Sequence, residues 1–296
     1  MADKRDMTEQ HAMILQSSTK PKPACWTALP SEIQLLILEA VIQQKHPGWS
    51  SSAAVCKEWQ FVIERENFQQ LKLHVLCLDD FERITLRRQH LVRHISLDIE
   101  LQCYTCLTCS HFEFESDRRE NSSTVSHGIW KLFSILSGWT TTEQKGLTLE
   151  LSAYSPSDIN HWFKHYRFAS GRGGDDEDYL VGGRDVGTLL LDDPKHGWKK
   201  GHQETPPPKD AVTRLFSTIS LRFPDELPRV DAVTRLTIRR QLRRRIEPAT
   251  LRFILEKLDR LEHMVYEPWR ACCRLGNKML DQRTYLPTNL SLPTAY

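Results

Sequence analysis

Residues 29–42 read LPSEIQLLILEAVI, and few folds can accommodate such a stretch without covering it from two directions. Wound as a helix at about 100° per residue, it lines up Ile33, Leu36, Ile37, Ala40 and Val41 along one stripe. Leu35, Leu38 and Ile42 form another, roughly opposite, with only Gln34, Glu39 and Gln43 between. A surface helix of an ordinary globular domain buries one stripe and leaves the rest to water. Two apolar faces therefore require that the chain folds over both, or that another chain covers one. The stretch is too short, and too charged at its flanks, to span a bilayer.

The neighbouring residues suggest where this helix begins and ends. Pro30 suits a first helical turn, and Glu32 places negative charge near the positive end of the helix dipole. Pro47 and Gly48 in KHPGW break the helix. The hydroxyls of residues 50–52 then offer caps for a second helix carrying Val55, Cys56, Trp59, Val62 and Ile63 on one face. Two or three short helices make a very small core, marginal alone and improved by a partner. Ahead of them, residues 1–25 are polar, end in TKPKP and read as a flexible leader. They carry no continuous apolar run and mix acidic with basic residues, so neither a secretory signal nor a transit peptide is expected. The chain reads as cytosolic or nuclear, where eight cysteines in 296 residues are core thiols or metal ligands rather than a disulfide framework.

The pair LPSEIQLLILEAVI and SSAAVCKEWQFVIERENFQQLKL resembles an F-box, whose pattern runs Leu-Pro-x-Glu-(Leu/Ile), Ile-Leu, then Val-Cys-(Lys/Arg)-x-Trp and a closing apolar residue. Leu29, Pro30, Glu32, Ile33, Ile37, Leu38, Val55, Cys56, Lys57, Trp59 and Phe68 occupy those places. The resemblance spans residues 26–73. It departs from many F-boxes at QQKHPGWSSSA, where a turn rich in Asp and Leu is common, and is closer there to a fungal variant. What it implies is a helical module that docks on the Skp-type adaptor subunit of SCF cullin-RING ubiquitin ligases, with Leu29, Pro30, Ile33, Ile37, Val55 and Trp59 contributing to the contact. One apolar stripe would then face the module's core and the other the adaptor.

From residue 74 to 285 the pattern becomes strand-like runs between helical ones, giving an α+β chain overall. Val92-xx-Ile95-x-Leu97, Leu147-x-Leu149-x-Leu151, Val233-xx-Leu236-x-Ile238 and Leu261-xx-Met264-x-Tyr266 each alternate apolar residues as a sheet strand does. A helix starting near Pro248, with Leu251, Ile254, Leu255 and Leu258 on one face, separates the last two runs. Their 28-residue recurrence is the spacing of a leucine-rich-repeat unit, whereas the earlier gaps are longer and uneven. The domain is expected to be a degenerate leucine-rich-repeat-like solenoid, with an ordinary α/β domain on a mainly parallel sheet as the rival. Residues 170–210 are rich in Gly, Asp and Pro and read as a mobile insertion, and residues 286–296 as a tail.

Two constellations can carry chemistry. CYTCLTCSH places Cys103, Cys106, Cys109 and His111 within nine residues. Thiolates two residues apart can chelate zinc through a tight turn, yet a structural site ordinarily draws its second ligand pair from a distant segment. Core thiols are the competing account, and no cofactor is assigned. In IRRQLRRRIEP, Arg239, Arg240, Arg243, Arg244 and Arg245 form the densest positive cluster, a local anion site or else a solvated turn paired with Glu247, Asp259 or Glu262. His161 and His165 stand one helical turn apart but among aromatics that look like packing.

Enzyme signatures are missing: there is no Walker A sequence, no G-x-S-x-G elbow and no H-E-x-x-H pair among the twelve histidines. The expected function is a non-catalytic adaptor that joins a substrate protein to the ligase. In a solenoid the residues just after the strands form a rim, here Arg239 and Arg240, then Glu267 and Trp269, which would hold the substrate. The alternatives are a zinc-containing nucleic-acid-binding protein, which a net charge of only +2 disfavours, and an F-box protein acting outside a ligase.

Overall fold

The computed structural model describes residues 26–44, 48–139, 146–164, 192–239, 242 and 244–267. Packing divides the chain into two units, residues 1–66 and 67–296. No helix among the described residues is long and apolar enough to cross a membrane.

In the first unit a 3-10 turn, Trp26–Ala28, leads into helix α1 (Ser31–Gln44). Gly48, at φ +85°, opens a second 3-10 turn, Trp49–Ala54, in a left-handed conformation that costs glycine nothing because it has no Cβ. Helix α2 (Lys57–Gln69) follows. The hydroxyls of residues 50–52, expected to cap that helix, lie inside the turn instead, where the Ser52 carbonyl accepts the Val55 N–H at 3.1 Å. The i→i+3 bonds of the turn use up the local backbone groups, so α2 starts only at Lys57.

The packed face of α1 cuts across both expected stripes. Leu38 is buried, with Ile37, Val41 and Ile42 half-buried, while Ile33, Leu35 and Leu36 remain 42%, 55% and 60% exposed. Gln34 explains the rotation. Its half-buried Nε2 donates to the carbonyls of Trp26 and Leu29 at 2.9 and 3.2 Å, satisfying backbone groups of the turn ahead of the helix.

The second unit begins with β1 (Gln70–His74), α3 (Leu78–Thr85), β2 (His94–Glu100), α4 (Glu115–Ser137) and β3 (Leu147–Tyr154). After these come a two-residue hairpin, β4 (Trp198–Lys199) and β5 (His202–Gln203), and then α5 (Lys209–Phe216), β6 (Thr218–Ile219) and β7 (Val233–Ile238). Strand β8 (Arg245–Ile246), α6 (Pro248–Leu255) and β9 (His263–Tyr266) complete it. A five-stranded, wholly parallel sheet is ordered β1-β2-β3-β7-β9, so each long strand lies beside the long strand before it. Strands β6 and β8 pair in parallel as a small annex.

All four alternating runs form strands of this sheet. Leu236 lies opposite Met264, which realises the 28-residue spacing, and Gln70 opposite His94, 24 residues on. Strand β1 begins within residues 26–73 yet belongs to the sheet, its Leu71 and Leu73 aligned with Ile95 and Leu97. Of the expected insertion, residues 170–191 lie outside the described residues, whereas 192–210 contain the β4–β5 hairpin and a 3-10 turn, Pro194–His196. The tail also lies outside them.

The two faces of the sheet differ. Ile95, Leu97, Ile99, Leu149, Leu151, Leu236 and Ile238 are buried on one, packed with Val125, Ile129, Leu132, Phe133 and Leu136 of α4. The other carries Lys72, His94, Asp98, Glu150 and Thr237. Lys72 pairs with Asp98 at 2.8 Å, and Glu150 with both His94 at 3.3 Å and Arg239 at 3.4 Å. A doubly wound parallel sheet is apolar on both faces because helices cover both; this one alternates.

Candidate functional site

The residues expected to dock on an adaptor separate into two groups. Ile33 and Val55 are 42% and 62% exposed, and Pro30 is exposed as well. Leu29, Ile37 and Trp59 are half-buried, with Trp59 set edge-on to Trp26 at a ring separation of 5.1 Å. Leu35, Leu36 and Phe61 add exposed apolar surface that the motif residues alone do not include.

The expected substrate rim is only partly described. Arg239 is half-exposed and ion-paired with Glu150, and Glu267 is exposed, its N–H donating to the Ile238 carbonyl at 2.9 Å. Arg240 and Trp269, and Arg243 of the same run, lie outside the described residues. The run is not one cationic patch. Arg244 is buried, its Nη2 donating to Glu113 at 3.1 Å and its Nη1 to the Ser217 hydroxyl at 2.9 Å. Sequence spacing could not identify Glu113 as its partner because the two are 131 residues apart.

The cysteine run behaves differently from its expected four-ligand set. After β2 the chain passes Cys103 outside any regular element and then winds through a tight turn in which the Thr105 carbonyl accepts the N–H groups of Thr108 and Cys109 at 3.0 and 2.9 Å. The turn brings Cys106 and Cys109 together but leaves Cys103 and His111 exposed to solvent, outside the cluster. So compact a segment cannot aim all four groups at one point. Two distant histidines take the vacant places. His161 comes from the turns after β3, and His196 from the 3-10 turn ahead of β4.

Three of these side chains, Cys106, His161 and His196, converge closely, and Cys109 lies against His196. Cys106 Sγ lies 3.5 Å from His161 Nδ1 and 3.7 Å from His196 Nε2. Cys109 Sγ is 3.4 Å from the same Nε2, and the two imidazole nitrogens are 3.3 Å apart. His161, His196 and Cys109 are buried, with Cys106 at the solvent edge. Such a set of two thiols and two imidazoles is a donor set for a soft or borderline divalent ion.

Around the cluster lies a second layer of polar contacts. His196 Nδ1 meets Asp193 Oδ2 at 2.6 Å, and Lys164 Nζ reaches the same carboxylate at 3.0 Å. Burial would raise the Asp193 carboxyl, but the hydrogen bonds from His196 and Lys164 outweigh it and hold it below the usual carboxylate range. His161 Nε2 meets the Tyr104 carbonyl at 3.3 Å, and burial pushes this imidazole below its ordinary value. Beneath sits a small core of Cys109, Trp162, Phe163, Ala211 and Leu215, separate from the main one. The Trp198 indole and the Gln203 amide both donate to the Trp162 carbonyl, at 3.2 and 2.9 Å, tying the hairpin to it.

His161 was visible in sequence only as half of a pair with His165, which lies outside the described residues. His196 sits in DPKHGW, inside the expected insertion; Asp193, three residues earlier and able to orient its ring, was the one local signal. No protein-family model, curated protein or solved structure matches this chain.

Proposed function

We propose that this chain is a non-catalytic F-box adaptor: its first unit docks on the Skp-type subunit of an SCF ubiquitin ligase, and its second presents a substrate protein. The observation that carries this reading is the exposed apolar surface of α1 and its neighbours, formed by Ile33, Leu35, Leu36, Val55 and Phe61 in a unit where, among the described residues, only Leu38 and Ile63 are buried hydrophobics. Fully burying each such side chain against a partner is worth about 1.5–3 kcal/mol, and the order Leu29-Pro30-x-Glu32-Ile33 with Val55-Cys56-Lys57-x-Trp59 identifies the partner by resemblance. In this reading the second unit is a degenerate leucine-rich-repeat-like solenoid. Sequential parallel strands, the 24- and 28-residue spacings and a sheet polar on one face support it. The ubiquitin chemistry belongs to other subunits, and the polar sheet face with its rim at Arg239 and Glu267 receives the substrate. The nucleic-acid alternative is weakened, because Arg244 is buried against Glu113 and Arg239 is engaged by Glu150.

Co-purification with a Skp-type subunit tests the reading. Leu36→Asp and Val55→Asp alter side chains that are 60% and 62% exposed. Each should change stability by no more than about 0.5 kcal/mol yet weaken adaptor binding at least tenfold. Unchanged binding by the double variant would refute the docking assignment.

A further inference from the structure

The geometry points to a structural zinc ion held by Cys106, Cys109, His161 and His196, a site that the adaptor reading neither requires nor explains. Zinc takes thiolate sulfur at about 2.3 Å and imidazole nitrogen at about 2.0–2.1 Å in a tetrahedron. Ligand atoms at those radii stand about 3.6 Å apart for sulfur and nitrogen and about 3.3 Å apart for two nitrogens. The measured separations are 3.5, 3.7 and 3.4 Å for the sulfur–nitrogen pairs and 3.3 Å for the nitrogens. The edges joining Cys106, His161 and His196 are those of one tetrahedral face; Cys109 Sγ, against His196 Nε2 alone, would reach the fourth corner by turning its side chain inward.

The outer contacts strengthen the case independently. A ring nitrogen facing a carboxylate or carbonyl carries the proton, so Asp193 places it on Nδ1 of His196 and the Tyr104 carbonyl places it on Nε2 of His161. Both nitrogens that remain are lone pairs, and they face each other at 3.3 Å in a buried pocket. His196 Nε2 has two sulfurs against it as well. A divalent cation bound to a deprotonated Cys106 would take up both lone pairs at once, at the point where they and the sulfur converge. Histidines oriented by a carboxylate or a backbone carbonyl through the other nitrogen are the usual outer layer of a protein zinc site.

With Cys109 turned in, four protein ligands fill the tetrahedron, which leaves no open position for a substrate and assigns the ion a structural role. The ligands come from the loop after β2, the turns after its neighbour β3 and the 3-10 turn before β4. The ion therefore fastens the hairpin segment to the ends of two adjacent strands, over a small core with five buried members among the described residues. A core of that size gains most from a metal staple.

The test uses the untagged full-length protein. Metal analysis should find about one equivalent of zinc, and cobalt exchanged into the site should give the intense visible bands and thiolate charge transfer of a four-coordinate sulfur–nitrogen ion. His161→Gln, His196→Gln and Cys109→Ser should each lose the metal, while Cys103→Ser and His111→Gln keep it. Asp193→Asn leaves every ligand in place and should weaken zinc about 10–100-fold in a chelator competition, so the result does not depend on ligand variants that fail to fold. The inference is overturned if the purified and zinc-reconstituted protein holds less than about a tenth of an equivalent, if cobalt is six-coordinate, or if Cys103→Ser releases the metal while His196→Gln retains it.

Discussion

The buried pair Glu113–Arg244 offers the most direct measure of what the tertiary structure adds to this chain. Both side chains are only 5% exposed, and a single carboxylate oxygen, Oε1, accepts from Arg244 Nη2 and from the Asn121 amide. Replacing Glu113 by Gln keeps an acceptor in place but removes the charge, so Arg244 keeps its cost of desolvation without its counter-charge. Breaking a buried pair from one side costs about 3–5 kcal/mol. Because Gln preserves the acceptor and Arg244 retains the Ser217 hydroxyl, the lower end, about 3 kcal/mol, is the expected loss. For a unit of this size each kcal/mol lowers the melting temperature by about 2–4 °C, which makes the shift about 6–12 °C. Arg244→Met should be destabilising alone for the converse reason, since Glu113 is then left charged and buried. The Glu113→Gln/Arg244→Met pair should recover a large part of either loss, as removal of both charges often costs little. Chemical denaturation of the four proteins in a double-mutant cycle measures the coupling. A Glu113→Gln loss below about 1 kcal/mol, or a double variant whose losses simply add, would refute the argument that this pair is buried and mutually dependent.

Leu132, fully buried on α4, should cost about 2–5 kcal/mol when cut to Ala, read by denaturant titration. Gly197 stands at φ +74°, and a Cβ there would collide with the Thr205 carbonyl oxygen; Gly197→Ala should displace His196 next to it and lower zinc content together with the melting temperature. Burial raises the Glu150 carboxyl, but the hydrogen bond from His94 and the charge of Arg239 outweigh it and hold it below its ordinary value. Its contribution to stability is thus fully present above the unfolded-state value of about 4.3 and is lost as pH falls through the lower folded value. Glu150→Gln should flatten the acid limb of the stability profile below that pH, and an unchanged limb would show that the ion pair contributes nothing.

Local order was legible in the sequence wherever one element could be recognised from its own residues. The period-two runs ending at Leu97, Leu151, Ile238 and Tyr266 all became neighbouring strands, because alternation directly reports a sheet with one buried face. The breaker at Gly48 and the start of α6 at Pro248 follow from backbone geometry confined to one or two residues. The Cys106-x-x-Cys109 turn was likewise local. What depended on the chain returning to itself was not legible. Parallel pairing of β2 with β3 brings His161 to Cys106, 55 residues away, and the hairpin delivers His196 from 90 residues away. Cys103 and His111, though closer in sequence, point elsewhere. The inward face of α1 was misread for the same reason: Gln34 is polar, and only the carbonyls of Trp26 and Leu29 make it an inward residue. Arg244 looked like part of a surface patch until Glu113 arrived from another segment. Spacing encodes what a residue can do within its own turn or strand, whereas a partner tens of residues away is chosen by packing, and packing is decided by the whole fold.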